Sequence, residues 1–246
     1  MSSKKSLSII APAYNEVSGL ENSIKKALSA CEILEDEYEI IIVDDCSTDS
    51  TLQIAQRLAQ QNSRVSVIHN SINLGFGGAF RTGLDRAKYQ NSLILCTDDG
   101  IDVESLKSIF RHLGSADLLI CYVKNPECRS RTRRMISWVY VKMIDTLFGL
   151  NVSYYNGMSV FPTESVKRIH LSDSFAFMAE IIVNLLKTGH SYKEIPYITK
   201  QRPEGGTSAF RLKNILGVGK AILRLWLNIQ VYHTHDKIFH LPEKNR

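Results

Sequence analysis

Four short polar segments contain the residues whose types and spacing could carry out chemistry. Each follows an apolar run: Pro12-Ala13-Tyr14-Asn15-Glu16, Asp44-Asp45-Cys46-Ser47-Thr48-Asp49, Asn73-Leu74-Gly75-Phe76-Gly77-Gly78 and Thr97-Asp98-Asp99-Gly100. Carboxylate oxygens accept hydrogen bonds and bind hard cations. Each segment alone also fits an ordinary turn or a helix N-cap. Four of them at one edge of one sheet predict a ligand site.

The apolar runs before these segments predict the strands that position them. Four brief runs suit buried parallel strands: residues 7–11, 39–43, 65–69 and 93–96. Between them, helical patterns begin near residues 20, 52 and 78, and Ser18 with Glu21 predicts a capping box for the first helix. Repeated strand–helix units predict a doubly wound parallel sheet. Ligands bind such sheets beyond the carboxyl ends of the strands.

The second half continues the alternation of helices and strands without a linker or an internal repeat. We expect helices at 129–149, 175–187 and 211–232, strands at 159–161 and 192–198, and a glycine-containing loop at 202–208. The helix at 211–232 is amphipathic and basic. It therefore suits either the interface of a bilayer or the surface of the protein's own sheet.

The net charge of the 246-residue chain, +5, conceals an asymmetry. Residues 1–120 contain 11 Lys and Arg against 16 Asp and Glu, a balance of −5, so residues 121–246 carry +10. A basic second half favours phosphate-rich ligands or an anionic membrane surface. A solvated basic face is the alternative.

Several classes of protein are excluded by what the sequence lacks. The five cysteines are scattered and form no Cys-x-x-Cys pair, which indicates reduced thiols rather than a disulfide framework or a zinc site. We expect neither a signal peptide nor a transmembrane helix. The glycines at 75–78 follow the third strand instead of the first, and no phosphate-binding P-loop is present, so a Rossmann oxidoreductase and a P-loop NTPase are disfavoured.

The combination of motifs resembles glycosyltransferase family 2, and in particular its dolichol-phosphate mannose synthase-like group. The segments that carry the resemblance most specifically are Pro12–Glu16, Val43–Asp49, Asn73–Gly75 and Asp98-Asp99. Weaker similarities follow at Asn156-Gly157, at Phe177–Glu180 and at Arg202–Ser208. The resemblance covers about residues 6–225.

The resemblance implies a GT-A-type fold, a doubly wound, mostly parallel sheet flanked by helices. It further implies a single domain over residues 1–246, with a nucleotide-sugar-binding half at about 6–120, an acceptor-side half at about 121–210 and an amphipathic C-terminal helix at about 211–233. The implied reaction is the inverting transfer of a sugar from a UDP- or GDP-linked donor. A polyprenyl phosphate and a glycan or glycolipid precursor both remain open as acceptors.

The resemblance also implies roles for individual residues. Tyr14 would stack on the donor, Glu16 would accept from ribose hydroxyls, and Asp45 would accept from a base N–H. The full implied donor-binding set is Pro12, Ala13, Tyr14, Asn15, Glu16, Val43, Asp44, Asp45, Asn73, Gly75, Gly78, Arg133 and Arg202. The implied catalytic residues are Asp98, Asp99 and Glu180.

A divalent cation is implied at the fourth segment, where Asp98 and Asp99 would hold Mg²⁺ or Mn²⁺ on the donor diphosphate. The sequence departs from the family here. An Asp-x-Asp motif would place carboxylates at positions 97 and 99, but residue 97 is threonine and the two acidic residues are adjacent. Neighbouring side chains point in different directions, which weakens the predicted metal site.

Three residues of the second half have two interpretations each. Arg133 would face phosphate or lie at a solvated helix start. Glu180 lies on an otherwise apolar helix, where a buried carboxylate needs a partner, so it is either paired with an arginine or poised at the acceptor. Arg202 belongs either to a segment that closes over the donor or to an ordinary loop.

Two other functions stay open, namely a nucleotide-sugar-binding protein without turnover and a sugar-phosphate nucleotidyltransferase. The second is disfavoured because the glycine- and lysine-rich triphosphate loop expected near the N-terminus is absent. No nucleic-acid partner is expected. The expected location is the cytoplasm or the cytoplasmic face of a membrane, and an oligomer remains open.

Overall fold

A seven-stranded sheet forms the centre of the molecule. The computed structural model describes residues 5–34, 37–200 and 212–231. The strands are β1 (Leu7–Ala13), β2 (Tyr38–Asp44), β3 (Val65–His69), β4 (Asn91–Ile94), β5 (Leu118–Val123), β6 (Ser159–Pro162) and β7 (Tyr192–Tyr197), in the spatial order β3-β2-β1-β4-β6-β5-β7. Only β6 is antiparallel to its neighbours in this sheet. The predicted doubly wound, mostly parallel sheet is confirmed.

Helices cover both faces of the sheet. They are α1 (Leu20–Cys31), α2 (Thr51–Gln61), α3 (Gly75–Arg86), α4 (Val103–Arg111), α5 (Arg131–Phe148), α6 (Thr163–Lys167), α7 (Phe177–Lys187) and α8 (Leu212–Trp226). One apolar core joins the sheet to α3, α5, α7 and α8 through residues such as Phe80, Ile144 and Phe177. The other joins it to α1, α2 and α4 through residues such as Ile24 and Leu106.

The predicted elements lie close to the observed ones, with two differences that bear on the site. Strand β4 ends at Ile94 instead of residue 96, so that Leu95 and Cys96 lie between the strand and the acidic turn. The predicted capping box of Ser18 and Glu21 is wrong: the N-cap of α1 is Gly19, and Glu21 instead pairs with Lys25 and Arg57 on the surface. Helices α4 and α6 and strand β5 were not predicted from the sequence.

The apolar side of α8 packs on the protein itself. Ala221, Ile222, Leu225 and Ile229 are buried in the core that also contains α7. For these residues the structure shows the second of the two interpretations of the amphipathic helix. Within the described ranges, no helix is both long enough and apolar enough to cross a bilayer.

The strand order reverses between β1 and β4. β1 is parallel to β2 on one side and to β4 on the other, and β3 continues the sheet beyond β2. The chain therefore runs outward from β1 to β3 and returns to β4 on the opposite side of β1. The carboxyl ends of these strands share one edge, which places the four polar segments together.

Helix α3 lies unusually close to the sheet at Gly83. A Cβ atom at this position would lie 2.5 Å from Ile10 Cγ2 and 3.0 Å from Val43 Cγ2. Both atoms belong to branched side chains on buried strands, which cannot move aside cheaply. The glycine thus allows α3, which begins within the third polar segment, to approach β1 and β2.

We predict that Gly83→Ala destabilises the protein by about 1–3 kcal/mol through overpacking. The matched control is Gly219→Ala in α8, where an added Cβ would meet nothing within 4 Å. Because alanine is the better helix former by about 1 kcal/mol, the control should be neutral or stabilising. Urea unfolding of the two variants measures the difference, and equal midpoints would contradict the predicted close packing.

Candidate active site

The loops after β1 and β2 are bound to each other by hydrogen bonds. The Asn15 side-chain oxygen accepts from the Thr48 amide at 2.9 Å, and the Asn15 amide donates to Ser47 Oγ at 3.0 Å. The Glu16 amide donates to Thr51 Oγ1 at 2.8 Å. Two of the four polar segments therefore form one connected surface.

An aromatic ring stands at the exposed side of this surface. Tyr14 is 48% exposed, whereas Pro12 and Ala13 beside it are buried and Glu16 is half-buried. An exposed ring next to a partly exposed carboxylate offers a stacking face and an acceptor to a ligand. Tyr14 and Glu16 are thus accessible to a ligand, and their predicted contacts with the base and the ribose of the donor stay predictions.

Asp44 supports the turn after β2 from inside the protein. Its carboxylate is buried, accepts from the Ser47 amide at 3.3 Å and contacts His69 Nδ1 at 2.8 Å. Val43, the preceding residue of the predicted donor set, is buried in the core. Asp44 therefore supports the loop from inside the protein, whereas Val43 is a residue of the core.

Asp45 connects the second polar segment to the third. One carboxylate oxygen accepts from Asn70 Nδ2 at 2.8 Å and from the Leu74 amide at 2.9 Å, and the other accepts from the Gly75 amide at 2.8 Å. The residue is only 2% exposed. In this arrangement Asp45 holds the loop at 73–75, and its role as an acceptor for a base N–H stays a prediction.

Two further members of the predicted donor set shape the third segment. Asn73 Nδ2 donates to the Asp45 carbonyl oxygen at 3.1 Å. A Cβ at Gly78 would lie 2.6 Å from Leu74 Cβ, so the first turn of α3 closes tightly over the loop.

Backbone strain is concentrated in the loops of this edge. Among the described residues, the non-glycine residues with positive φ are Asn15, Cys46 and Asp99, at 55°, 61° and 58°. They follow β1, β2 and β4 respectively. Non-glycine residues adopt this conformation at a cost and do so preferentially at functional sites. The sequence contained no signal that identified Cys46.

The acidic turn after β4 is packed against the N-terminal half of α1. A Cβ at Gly19 would lie 2.5 Å from the Thr97 carbonyl oxygen, and the Asp99 amide donates to Ser23 Oγ at 3.0 Å. Thr97 is buried and its hydroxyl donates to the Pro12 carbonyl oxygen at 3.0 Å. The turn is therefore held by the helix that follows the first polar segment.

Two lysines that sequence reasoning missed contact Asp99. Lys26 Nζ pairs with Asp99 Oδ1, and Lys200 Nζ lies 3.2 Å from Asp99 Oδ2. Burial by itself would raise the pKa of Asp99, but the hydrogen bonds from Lys26 and Lys200 outweigh it and the pKa is lowered. The same contact raises the pKa of Lys200. Ser23 and Lys26 lie on the same face of α1, just after its N-cap Gly19. Solvent-exposed helices show the same spacing of polar residues, so the sequence did not single out Lys26.

The donor groups at this turn fit a divalent cation poorly. Thr97 presents a hydroxyl that is already bonded, both oxygens of Asp99 contact lysines, and Asp102 caps α4 by accepting from the Ser105 amide at 2.7 Å. Asp98 Oδ1 accepts from the Gly100 amide at 3.2 Å. Across the described part of the chain, no cluster of three or more His, Cys, Asp or Glu residues is arranged to hold a metal ion.

Glu180 is buried and paired. It is 2% exposed, one oxygen accepts from the Ser172 amide at 2.7 Å, and the other lies 3.4 Å from Arg224 Nη2. The structure therefore provides the arginine partner that one interpretation of the sequence required. The predicted role of Glu180 at the acceptor is not tested by this pairing and stays a prediction.

The two predicted phosphate-binding arginines are placed differently. Arg133 lies in the first turn of α5, where its amide donates to Ser130 Oγ at 3.3 Å and its side chain is half-buried. Arg202 and the glycine-containing loop at 202–208 lie outside the described residues. A contact of either arginine with the donor stays a prediction.

Comparison with known families identifies the chain. Residues 8–169 match the model of glycosyl transferase family 2. Since this match covers more than half of the 246 residues, the chain belongs to glycosyl transferase family 2. The resemblance seen in the motifs is confirmed.

Two characterised relatives show the range of proteins to which the chain is similar. It is 26% identical to the glycosyltransferase AglD of Haloferax volcanii, over 92% of this chain and 38% of that protein. It is 26% identical to an undecaprenyl-phosphate mannosyltransferase of Micrococcus luteus, over 80% of this chain and 84% of that protein. The chain thus spans well under half the length of the first relative and most of the length of the second.

Solved structures confirm the GT-A-type fold. A mannosyl-3-phosphoglycerate synthase of Rubrobacter xylanophilus is similar with a TM-score of 0.70 at 15% identity, over 98% of this chain and 78% of that one. A glucosyl-3-phosphoglycerate synthase of Mycobacterium tuberculosis, in complex with Mn²⁺, UDP and phosphoglyceric acid, is similar with a TM-score of 0.68 at 13% identity, over 91% and 78%. At such identities the similarity concerns the fold alone.

We predict that Asp45→Ala releases the loop at 73–75. Loss of a hydrogen bond to a charged group costs about 1.5–3 kcal/mol, so the Leu74 and Gly75 amides should exchange with solvent roughly tenfold faster or more. Hydrogen exchange followed by NMR measures this effect. The control is Asp85→Ala, an exposed carboxylate at the end of α3. Unchanged exchange at Leu74 and Gly75 would show that Asp45 does not hold the loop.

Proposed function

We propose that this member of glycosyl transferase family 2 transfers a sugar from a UDP- or GDP-linked donor to a polyprenyl phosphate, with inversion at the anomeric carbon. The observation that carries the proposal is the connected surface at the carboxyl edge of β1, β2 and β4, with exposed Tyr14 at its side. Support for the acceptor comes from relatives named as undecaprenyl-phosphate and dolichyl-phosphate sugar transferases.

The donor would lie across the four polar segments. Tyr14 would stack on the base and Glu16 would accept from the ribose hydroxyls, since both side chains reach the surface there. Asp45 would act by holding the loop at 73–75 in place. The diphosphate would then be directed toward the acidic turn, because that turn follows β4 on the other side of β1.

The reaction proposed is a direct displacement. An oxygen of the acceptor phosphate attacks the anomeric carbon while the bond from that carbon to the donor diphosphate breaks, and the nucleoside diphosphate leaves with the bonding electrons. The protein contributes positioning and charge stabilisation. A phosphate acceptor is already ionised and needs no general base.

The state of the candidate bases supports an ionised acceptor. Glu180 is buried against Arg224 and the Ser172 amide, and Asp99 is paired with Lys26 and Lys200. The hydrogen bonds from the two lysines lower the pKa of Asp99, which makes it a poor proton acceptor, and both oxygens of Glu180 are already occupied by partners. A hydroxyl acceptor would need a base, whereas a lipid phosphate would not.

An exposed apolar face on α5 supports a peripheral position at a membrane. The exposed apolar side chains of this helix are Met135, Ile136, Trp138, Val139, Met143 and Leu147, and Trp138 is 62% exposed. Arg131, Arg134 and Lys142 are exposed on the same helix, while its one acidic residue, Asp145, is buried. A basic helix with an exposed tryptophan face suits the interface of an anionic bilayer.

We predict that the wild-type protein moves labelled sugar from at least one UDP- or GDP-sugar to polyprenyl phosphate in detergent. Asp98→Ala combined with Asp99→Ala should abolish this transfer while the protein still folds, at a cost of about 1–3 kcal/mol because Lys26 loses its carboxylate partner. Extraction of label into the organic phase measures transfer. The control combines Glu104→Ala with Glu164→Ala, two carboxylates that are each 73% exposed.

Two further measurements, of nucleotide-sugar binding and of pyrophosphate release, separate the other candidate functions. Binding of nucleotide sugars without transfer or hydrolysis would indicate a binding protein. Pyrophosphate release from a nucleoside triphosphate and a sugar phosphate would indicate a nucleotidyltransferase. Wild-type turnover in the double aspartate variant would remove the acidic turn from the reaction.

We also predict that the protein sediments with anionic liposomes at low salt and is released as the salt concentration rises. Basic residues near an anionic surface contribute about 1 kcal/mol each, and salt screens them. Trp138→Glu should weaken the sedimentation strongly. The control is Ile33→Glu, a partly exposed apolar residue that adjoins acidic Glu32. Equal binding of the two variants would contradict docking through α5.

A further inference from the structure

The ammonium group of Lys26 occupies a cage of three oxygen atoms at the acidic turn. It donates to the Ile101 carbonyl oxygen at 2.9 Å, to the Asp99 carbonyl oxygen at 3.4 Å and to Asp99 Oδ1. An ammonium group has three N–H donors, and three oxygen atoms of this turn lie within hydrogen-bonding distance of Nζ. A carboxylate with two backbone carbonyls is also the kind of oxygen set that binds a hard cation. The lysine is therefore located where such a cation would lie.

A second lysine, Lys200, contacts the same Asp99 carboxylate from a distant part of the sequence. Residue 199 bridges to residue 101, and the Lys200 amide donates to the Gly100 carbonyl oxygen at 2.8 Å. This backbone pairing places Lys200 Nζ at 3.2 Å from Asp99 Oδ2 while its side chain remains 61% exposed. Lys200 is thus anchored through its backbone and open to solvent at its charged end.

Among the described residues, two lysines offset most of the negative charge at the turn. Asp98, Asp99 and Asp102 contribute three negative charges, and Lys26 and Lys200 contribute two positive ones. One divalent cation would supply the same positive charge as the two lysines. The position where an Asp-x-Asp motif would add the first carboxylate is Thr97, whose hydroxyl is used by the Pro12 carbonyl oxygen. Compared with an Asp-x-Asp site, the turn therefore lacks the carboxylate at position 97 and contains two additional ammonium groups.

We infer that Lys26 and Lys200 replace the divalent cation at this site, so that the protein binds a nucleoside diphosphate without Mg²⁺ or Mn²⁺. The inference rests on the proposed function, because it concerns the diphosphate of that donor. Lys26 is a positioning residue that neutralises Asp99 and holds the turn. Lys200, whose ammonium is exposed, contacts the diphosphate and stabilises the charge of the leaving group.

The test is calorimetric titration of the full chain with UDP and with GDP, first in EDTA and then in Mn²⁺. For the nucleotide that binds, we expect the two dissociation constants to agree within about threefold, a difference of less than 1 kcal/mol. Mn²⁺ alone, followed by its paramagnetic resonance signal, should not bind at the turn. Nucleotide affinity that rises tenfold or more with Mn²⁺ would overturn the inference.

Two lysine variants assign the roles. Lys200→Met should weaken binding of the diphosphate roughly tenfold, the equivalent of one hydrogen bond between charged groups, with a smaller effect on the monophosphate. Lys200→Arg should restore most of the affinity. Lys26→Met should make binding depend on Mn²⁺, because it frees Asp99 Oδ1 and the two backbone carbonyl oxygens that Lys26 occupies. The control is Lys25→Met, whose ammonium is 62% exposed and pairs with Glu21 at 2.8 Å.

The outcomes distinguish this inference from the function on which it rests. If neither UDP nor GDP binds under either condition, the proposed donor is wrong and the inference falls with it. If a nucleotide binds only with Mn²⁺, the donor stands and the lysine replacement is wrong. Should Lys26→Met fail to fold, exposed Lys200 still decides, since equal affinities of Lys200→Met and the wild type would overturn the contact with the diphosphate.

Discussion

The complete burial of β1 between two parallel neighbours is the constraint on which the site depends. Every residue of Leu7–Ala13 is buried, and the strand is hydrogen-bonded to β2 along its whole length and to β4 along its first half. A strand enclosed in this way cannot shift its register without exposing its side chains or losing its hydrogen bonds. Its carboxyl end is therefore a stable reference point, and the loops after β1, β2 and β4 are built around it.

At the carboxyl end of β1, polar side chains of the loops accept hydrogen bonds from the protein's own backbone. Asp45 holds the amides of the β3–α3 loop, and Asn15 holds the β2–α2 loop. These bonds are formed before any ligand arrives, so the ordering cost of a bound donor is reduced. The acidic turn is ordered in the same way, because Asp99 is held by α1 on one side and by residue 200 on the other. Such preorganisation is what charge stabilisation in a transferase requires.

The second half of the chain completes the sheet and contains the exposed apolar and basic face of α5. Strand β6 pairs with β4, and β5 and β7 extend the sheet, so both halves share its hydrogen-bond network. Helix α8 buries its apolar residues against this body, whereas α5 leaves an apolar and basic face exposed. The positive charge of this half thus accompanies a surface suited to an anionic partner.

The sequence alone determined the fold class and the location of the polar loops, because apolar runs, helical patterns and turn residues are local signals. The resemblance to the family came from the combination of motifs in those loops. The sequence also identified Tyr14, Asp45 and Asp99 by their positions after strands. Only the tertiary structure showed that Asp45 is enclosed by the β3–α3 loop, that Glu180 meets Arg224, and that Lys26 and Lys200 converge on Asp99. These pairs are separated by 25 to 101 residues. Contacts at such separations arise from the packing of distant elements, which no local pattern records.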